Sequence, residues 1–253
     1  MTDRPATGRY EKPRGGHGYL IDGQESPGIT TINGILNKPN LTPSAAKITA
    51  QYAIDNVAET VGAVQSRQTG NHISFLTRHY RDKWDRKRDL GTRVHAACET
   101  EWDGGPATDA PYDVAHHLKH FRQFLADYSP EVLHVELPIF RRATPDCERY
   151  AATADAFVNI DGRTAVLDIK TGGVWPEAAL QLCGIANTQF WVDDAGVEQP
   201  TPQCDIGLIL QLSADGYRLH ETELSAHWAG VRGAVALWYW QRNSKDAFSE
   251  IVR

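Results

Sequence analysis

Ala152-Thr153-Ala154-Asp155-Ala156-Phe157-Val158-Asn159-Ile160-Asp161-Gly162-Arg163-Thr164-Ala165-Val166-Leu167-Asp168-Ile169-Lys170-Thr171-Gly172 is the stretch on which the reading of this chain turns. Two β-branched and aromatic runs flank Asp161-Gly162, a dipeptide that suits the two positive-φ positions of a tight hairpin turn. The spacing predicts strands over 149–160 and 163–170. It sets Asp155 nearly opposite Asp168, within about 5.5 Å for partners on one face of a pair. Asp168 and Lys170 are two apart and share a face. Two carboxylates and an ammonium converging at a strand end suit Mg²⁺ or Mn²⁺, which prefer hard oxygen ligands. Two such ions about 4 Å apart activate water and steady the leaving oxygen in phosphoryl displacement. A lone D-x-K is most often a turn aspartate beside a solvated lysine. Here it follows an aspartate at hairpin distance and precedes a Thr-Gly break and a helix.

Outward from the hairpin, Val132–Phe140 reads as a further strand carrying Glu136. A helix is expected from Pro176 to about Val192, and a second hairpin over 205–212 and 217–224 turns through Ala214-Asp215-Gly216. Ser225 is expected to cap a last helix reaching Arg242. Upstream, residues 1–18 read as a loose arm, Tyr19–Ile21 as a short strand and Gly28–Ile32 as a β-leaning piece. Helices are expected over Pro43–Val64, Ile73–Arg88, from Leu90 through Trp102, and over Pro111–Tyr128. The expected fold is α/β, a mixed central sheet flanked by helices with an N-terminal helical region. The division expected is 1–130, arm and helices carrying a histidine motif, and 131–253, the core, together forming one compact unit.

Ala152-Thr-Ala-Asp155, Asp168-Ile-Lys-Thr-Gly172 and the downstream Gln181 resemble the PD-(D/E)XK nuclease superfamily. The branch is that of the RecB nuclease domain, the CRISPR-associated spacer-processing nucleases and phage exonucleases. Its upstream Gly-x-x-x-His is matched by Gly91-Thr-Arg-Val-His95. Leu20-Ile-Asp-Gly, Gly28-Ile-Thr-Thr-Ile and Leu36-Asn-Lys-Pro look like the leader of phage exonucleases. The resemblance implies a restriction-endonuclease-like sheet and a metal-dependent deoxyribonuclease, an exonuclease acting on single-stranded or free DNA ends. It implies catalytic Asp155, Asp168 and Lys170, with His95, Asp155, Asp168 and the Ile169 carbonyl as ligands of two ions. Glu136 either binds water or metal from one layer out or is an exposed strand glutamate. Glu99, one turn beyond His95, either hydrogen-bonds its ring or is solvated. Gln181 begins a Gln-x-x-x-Tyr element in relatives, but Ile185 stands at the tyrosine position, and Ala152 replaces the usual glycine. A structure-specific endonuclease with the same site and a non-catalytic DNA-end-binding recombination partner are the alternatives. A pure binder has no need of carboxylates that repel phosphate.

Cys98, Cys147, Cys183 and Cys204 show no C-x-x-C spacing, so no zinc knuckle is expected. The iron–sulfur cluster of some relatives needs three clustered C-terminal cysteines, which this chain lacks, so none is expected. No apolar stretch approaches the roughly 18 residues of a membrane span, and the polar N-terminus has no signal-peptide core. A cytoplasmic protein is expected, in the host cytoplasm if phage-encoded, with a replication or recombination protein as a partner.

The formal net charge is −6, from 26 Lys+Arg and 32 Asp+Glu. On its own this balance argues against nucleic acid. Residues 78–93, however, hold seven basic residues against three acidic ones, an excess of four positive charges; the rest of the chain carries −10. Arg81, Lys83, Arg86, Lys87, Arg88 and Arg93 are the candidate DNA contacts, with Tyr80 and Trp84 interleaved for stacking. The competing reading is a solvated helix face paired by its own aspartates. Trp238-Tyr239-Trp240 cannot share one helix face, so at least one belongs to the core.

Overall fold

A computed structural model describes residues 5–13, 15–36, 41–105, 110–244 and 247–248. The chain is mixed α/β. It forms two units, Met1–Leu36 with Val94–Arg253, and Asn37–Arg93.

The first unit is built on a seven-stranded sheet. Its strands are β4 (Glu131–Arg141), β5 (Tyr150–Ile160), β6 (Arg163–Lys170), β7 (Phe190–Val192), β8 (Glu198–Pro200), β9 (Ile206–Leu212) and β10 (Tyr217–Thr222), in the order β10-β9-β6-β5-β4-β7-β8. All neighbours are antiparallel except β6 and β9, which run parallel through a crossover carrying helix α6 (Glu177–Ala186). A small sheet of β1 (Gly8–Glu11), β2 (His17–Ile21) and β3 (Gln24–Ser26) precedes it. Helices α1 (Ile29–Asn33), α6 and α7 (Trp228–Asn243) pack together over a core that includes Ile29, Ile32, Tyr150, Phe157, Val166, Leu182 and Val231. The central hairpin is as expected. Asp161 and Gly162 both take positive φ, 49° and 74°, the geometry whose twist matches flanking strands. The buried hydroxyl of Tyr150 donates to the Gly184 carbonyl at 2.8 Å.

The second unit holds helices α2 (Leu41–Asp55) and α3 (Val57–Gln65) and most of α4 (Thr69–Trp102), whose last turns, from Val94, belong to the first unit. Helix α5 (Tyr112–Tyr128) follows and buries Val114, Leu118, Phe121 and Phe124.

Several expected elements are corrected. The 43–64 helix is two helices, because Asn56 leaves helical geometry (φ −120°, ψ 42°) and its side chain donates to the Tyr52 carbonyl at 2.9 Å. Asparagine competes for backbone groups in this way. Conversely, no break occurs near Leu90. A single glycine costs a helix only about 1 kcal/mol, and the Arg93–Asp89 ion pair at 3.0 Å straddles Gly91. Of the β-leaning piece Gly28–Ile32, only Gly28 is extended, bridging Ala151, and the rest is helical. Ile29 and Ile32 lie one helical turn apart and are both buried, and that burial overrides the β-branched run. The helix expected to reach Val192 stops at Ala186, where the Asn187 side chain donates to the Cys183 carbonyl, and Phe190–Val192 becomes an edge strand. Residues 8–11 of the supposed loose arm form β1. The Ser225 hydroxyl bonds Glu223 instead of capping, and a short 3-10 turn (Ser225–His227) precedes α7. Asn37, Lys38 and Pro39 of the leader motif lie outside the described residues.

Gly184 marks the closest approach of α6 to α1. A Cβ placed there would sit 2.6 Å from Ile29 Cγ1. Gly184→Ala is expected to destabilise by about 1–3 kcal/mol, read by urea unfolding. Ile29→Ala is expected to offset part of that loss in the double mutant, a coupling that a mutant cycle measures.

Candidate active site

The paired rows of β5 and β6 run from Ile160/Arg163 to Ala156/Leu167 and stop one position short of Asp155 and Asp168. On the other side, β4 pairs Val135 with Ala156 and Leu137 with Ala154, skipping Glu136 and Asp155. Glu136 takes φ 47°, a left-handed conformation uncommon for a non-glycine residue. The ladder therefore opens on both sides of Asp155. Such interruptions concentrate at functional sites, where they redirect side chains.

The opened backbone is used at once. Asp155 Oδ2 accepts the Ile169 N–H at 2.8 Å and lies 3.3 Å from His95 Nδ1. The His95 ring also hydrogen-bonds the Ile169 backbone. His95 comes from α4, one turn before the buried Cys98. Ligand atoms of His95, Glu136 and Asp155 all lie within 4.8 Å of one another.

Asp168 lies beside Lys170, with which it was expected to share a face. It is 2% exposed, and its carboxylate is engaged by the residues after it. Gln181 Nε2 donates to Asp168 Oδ1 at 2.8 Å, while Lys170 Nζ lies 2.5 Å from Oδ2 and 3.5 Å from Gln181 Oε1. This oxygen is sealed from solvent and faces the ammonium. The expected ligand set was His95, Asp155, Asp168 and Ile169. Of these, His95 and Asp155 cluster with Glu136, and Asp168 sits beside them in a Lys170–Gln181 clasp.

The electrostatics follow from burial. Asp155 is held well above the usual carboxylate range, first by desolvation and then by Asp168, with the Ile169 N–H and Lys170 opposing. Glu136 is raised by burial and by Glu99, against the pull of Arg9. Glu99 thus lies within electrostatic reach of the cluster. Burial pushes His95 below its ordinary value, Asp168 pulling the other way. A neutral imidazole is the form that binds metal. The residues fit a divalent cation: one imidazole and two carboxylates raised chiefly by burial.

One contributor had no sequence signal. Arg9 on β1 reaches Glu136 Oε2 with Nη1 at 3.4 Å. No motif separates it from other arm residues; only the pairing of β1 with β2 brings it there.

In the second unit, Arg81, Lys83, Arg86, Lys87 and Arg88 are exposed on α4 and Arg93 is half-buried. Arg88 pairs with Asp85 at 2.9 Å and Arg93 with Asp89 at 3.0 Å, so part of the strip is a self-paired helix face. Arg81 lies over the Tyr80 ring, which packs edge-on against Trp84 with centroids 4.9 Å apart. Among the described residues the four thiols are free. Burial pushes Cys183 up to about 11 and Cys204 up to about 12, the range of unreactive thiols. No helix of the described residues is long and apolar enough to cross a membrane.

No family model matches the chain, and no curated protein matches it. Among solved structures, a chain titled "Crystal structure of SSO0001" is similar over 62% of this chain and 74% of its own, at 14% identity and a TM-score of 0.31. A likeness at that level carries no argument about function.

Asp155 gives a pH prediction. A carboxyl raised by folding contributes stability that is fully present below its unfolded value and lost as pH rises through its folded value. Metal-free wild type is therefore expected to lose stability over that window relative to Asp155→Asn. At pH 7 the variant is expected to melt a few degrees higher, about 2–4 °C per kcal/mol for a chain of this size. The same variant is expected to lose Mn²⁺ binding by calorimetry. Parallel stability–pH curves for the two proteins would show that Asp155 does not carry this cost.

Proposed function

We propose that the protein is a metal-dependent deoxyribonuclease of the PD-(D/E)XK kind, hydrolysing phosphodiester bonds at DNA ends. The observation that carries this reading is the meeting of His95, Glu136 and Asp155 beside the Asp168–Lys170–Gln181 clasp. That clasp joins the two residues of the D-x-K motif to the glutamine the resemblance singles out. His95, Glu136 and Asp155 are the residues that would hold Mg²⁺ or Mn²⁺, with Asp168 adjoining. Bound there, a divalent ion polarises a phosphoryl oxygen and lowers the pKa of water.

The chain's own groups supply the rest. Lys170 keeps its ammonium between Asp168 and Gln181, where it orients a water or meets charge gathering on phosphorus. Gln181 fixes the Asp168 rotamer and so the place of Lys170. Arg9 offsets the Glu136 carboxylate, which would otherwise repel an approaching phosphate. The action at ends comes from the resemblance to phage exonucleases, and a role in replication or recombination rests on the same ground. The exposed cations of α4 suit a sequence-independent hold on the DNA backbone.

Digestion of end-labelled single- and double-stranded DNA is expected to require Mg²⁺ or Mn²⁺ and to stop in EDTA. Asp168→Ala and Lys170→Ala are each expected to slow it at least about 10²-fold, with circular dichroism unchanged. Full activity in either variant, or in EDTA, would falsify the assignment. Lys83→Ala/Lys87→Ala is expected to weaken binding alike for all sequences. Its salt dependence should flatten by about 0.7 in log–log slope per lost single-strand contact. An unchanged slope in a salt titration removes α4 from the interface.

A further inference from the structure

A cleft of about 250 Å³ opens between the small N-terminal sheet and α7, within the first unit, and the catalysis proposed above makes no use of it. Lys12 and His17 line it from the sheet, Trp238 and Tyr239 from α7, and Thr31 adds a hydroxyl. A lysine ammonium and an imidazole on one wall and aromatic rings on the other suit a ligand that joins an anion to a flat heterocycle. We propose that this cleft binds one nucleotide unit of single-stranded DNA, its phosphate against Lys12 and His17 and its base against Trp238. The proposal deepens the nuclease reading by naming where the strand lies next to the reacting bond.

Three observations support it. First, basic groups are gathered here. Burial pushes His17 below its ordinary value, and Arg9 and Lys12 push the same way, with Glu11 opposing. Glu25, which also lines the cleft, is engaged by the Tyr10 hydroxyl at 2.9 Å. Second, the aromatic wall is fixed before any ligand arrives. Trp238 and Tyr239 are half-buried against the core, and the Tyr239 hydroxyl donates to the Arg149 carbonyl at 2.9 Å. The Arg242 guanidinium lies 3.6 Å from the Trp238 ring centroid, and the indole N–H meets no acceptor among the described residues. Base stacking on such a platform tolerates any sequence.

Third, the cleft adjoins the cluster. Tyr19 lines it, and its hydroxyl contacts both His17 Nε2 at 3.0 Å and Thr153 Oγ1 at 2.9 Å. Thr153 precedes Asp155 by two residues on β5, about 7 Å along a strand. Arg9, from the same small sheet, reaches Glu136. A strand whose nucleotide occupies the cleft therefore continues toward His95, Glu136 and Asp155. The narrow cleft and a base that must leave its partner to stack both select an unpaired strand.

The test uses the isotope-labelled full chain in EDTA, titrated with the dinucleotide dTpdT and followed by nuclear magnetic resonance. The amides of Lys12, His17 and Thr31 and the Trp238 indole are expected to shift with one dissociation constant. Lys12→Glu, on an exposed side chain, is expected to weaken that constant about tenfold, and Trp238→Phe, which keeps a smaller ring, about threefold, less than the loss of a whole stacked base. Silence at those residues, shifts confined to α4, or an unchanged constant in Lys12→Glu overturns the proposal. Metal-dependent cleavage with a silent cleft removes the cleft and leaves the nuclease reading. Shifts in the cleft without cleavage under any metal do the reverse.

Discussion

Charge held where water cannot fully reach it organises this molecule. Asp155 sits where β5 loses its hydrogen-bonded rows to both neighbours, with Asp168 beyond one gap and Glu136 beyond the other. Three carboxylates at such a place repel one another and resist burial. Each is answered locally: Asp155 by the Ile169 N–H and His95, Asp168 by Lys170 and Gln181, Glu136 by Arg9. Those partners come from β6, α4, α6 and β1. The elements that meet around the sheet are thus tied to one electrostatic problem.

The arrangement of β4, β5 and β6 also explains how rigid framing and an irregular site coexist. Beyond Ala156 the hairpin is a regular ladder closed by a positive-φ turn. On the α6 side, Phe157 and Val166 bury into the main core. Between β4 and β5 the interruption at Glu136 and Asp155 is bracketed by paired residues on either side, and a separate register shift lies between Val132 and His134. A left-handed glutamate persists when its surroundings over-determine it. Here Val135 and Leu137 are both in register with β5.

The hairpin and its two key residues were legible because a turn dipeptide and a period of two encode them locally. His95 was legible only through its Gly-x-x-x-His context, since nothing in a lone helical histidine says what it faces. The place of Glu136 in the clustered trio was not legible. Its position depends on a left-handed backbone that no residue preference announces. Arg9 and Tyr19 were hidden for another reason: their partners, Glu136 and Thr153, lie 127 and 134 residues away. The misjudged helix ends have separate causes. Asn56 and Asn187 turn their side chains on the backbone, whereas Gly91 and the β-branched 29–32 run are overruled by an ion pair and by burial. The acidic net charge is a sum that averages a basic helical stretch with an acidic remainder, so it says little about either.

The Asp161–Gly162 turn has a bearing on how such a chain can diverge. Five paired rows separate it from the point where the ladder opens. A single inserted or deleted residue in that interval would turn Asp155 or Asp168 to the opposite face of its strand. Changes of two would keep the face but displace one carboxylate along the sheet. The loop tip looks like a free place for length variation, yet its length is tied to where the two carboxylates fall. Lineages descending from this sequence should vary freely at the β7–β8 and β9–β10 connections and keep the β5–β6 hairpin at constant length.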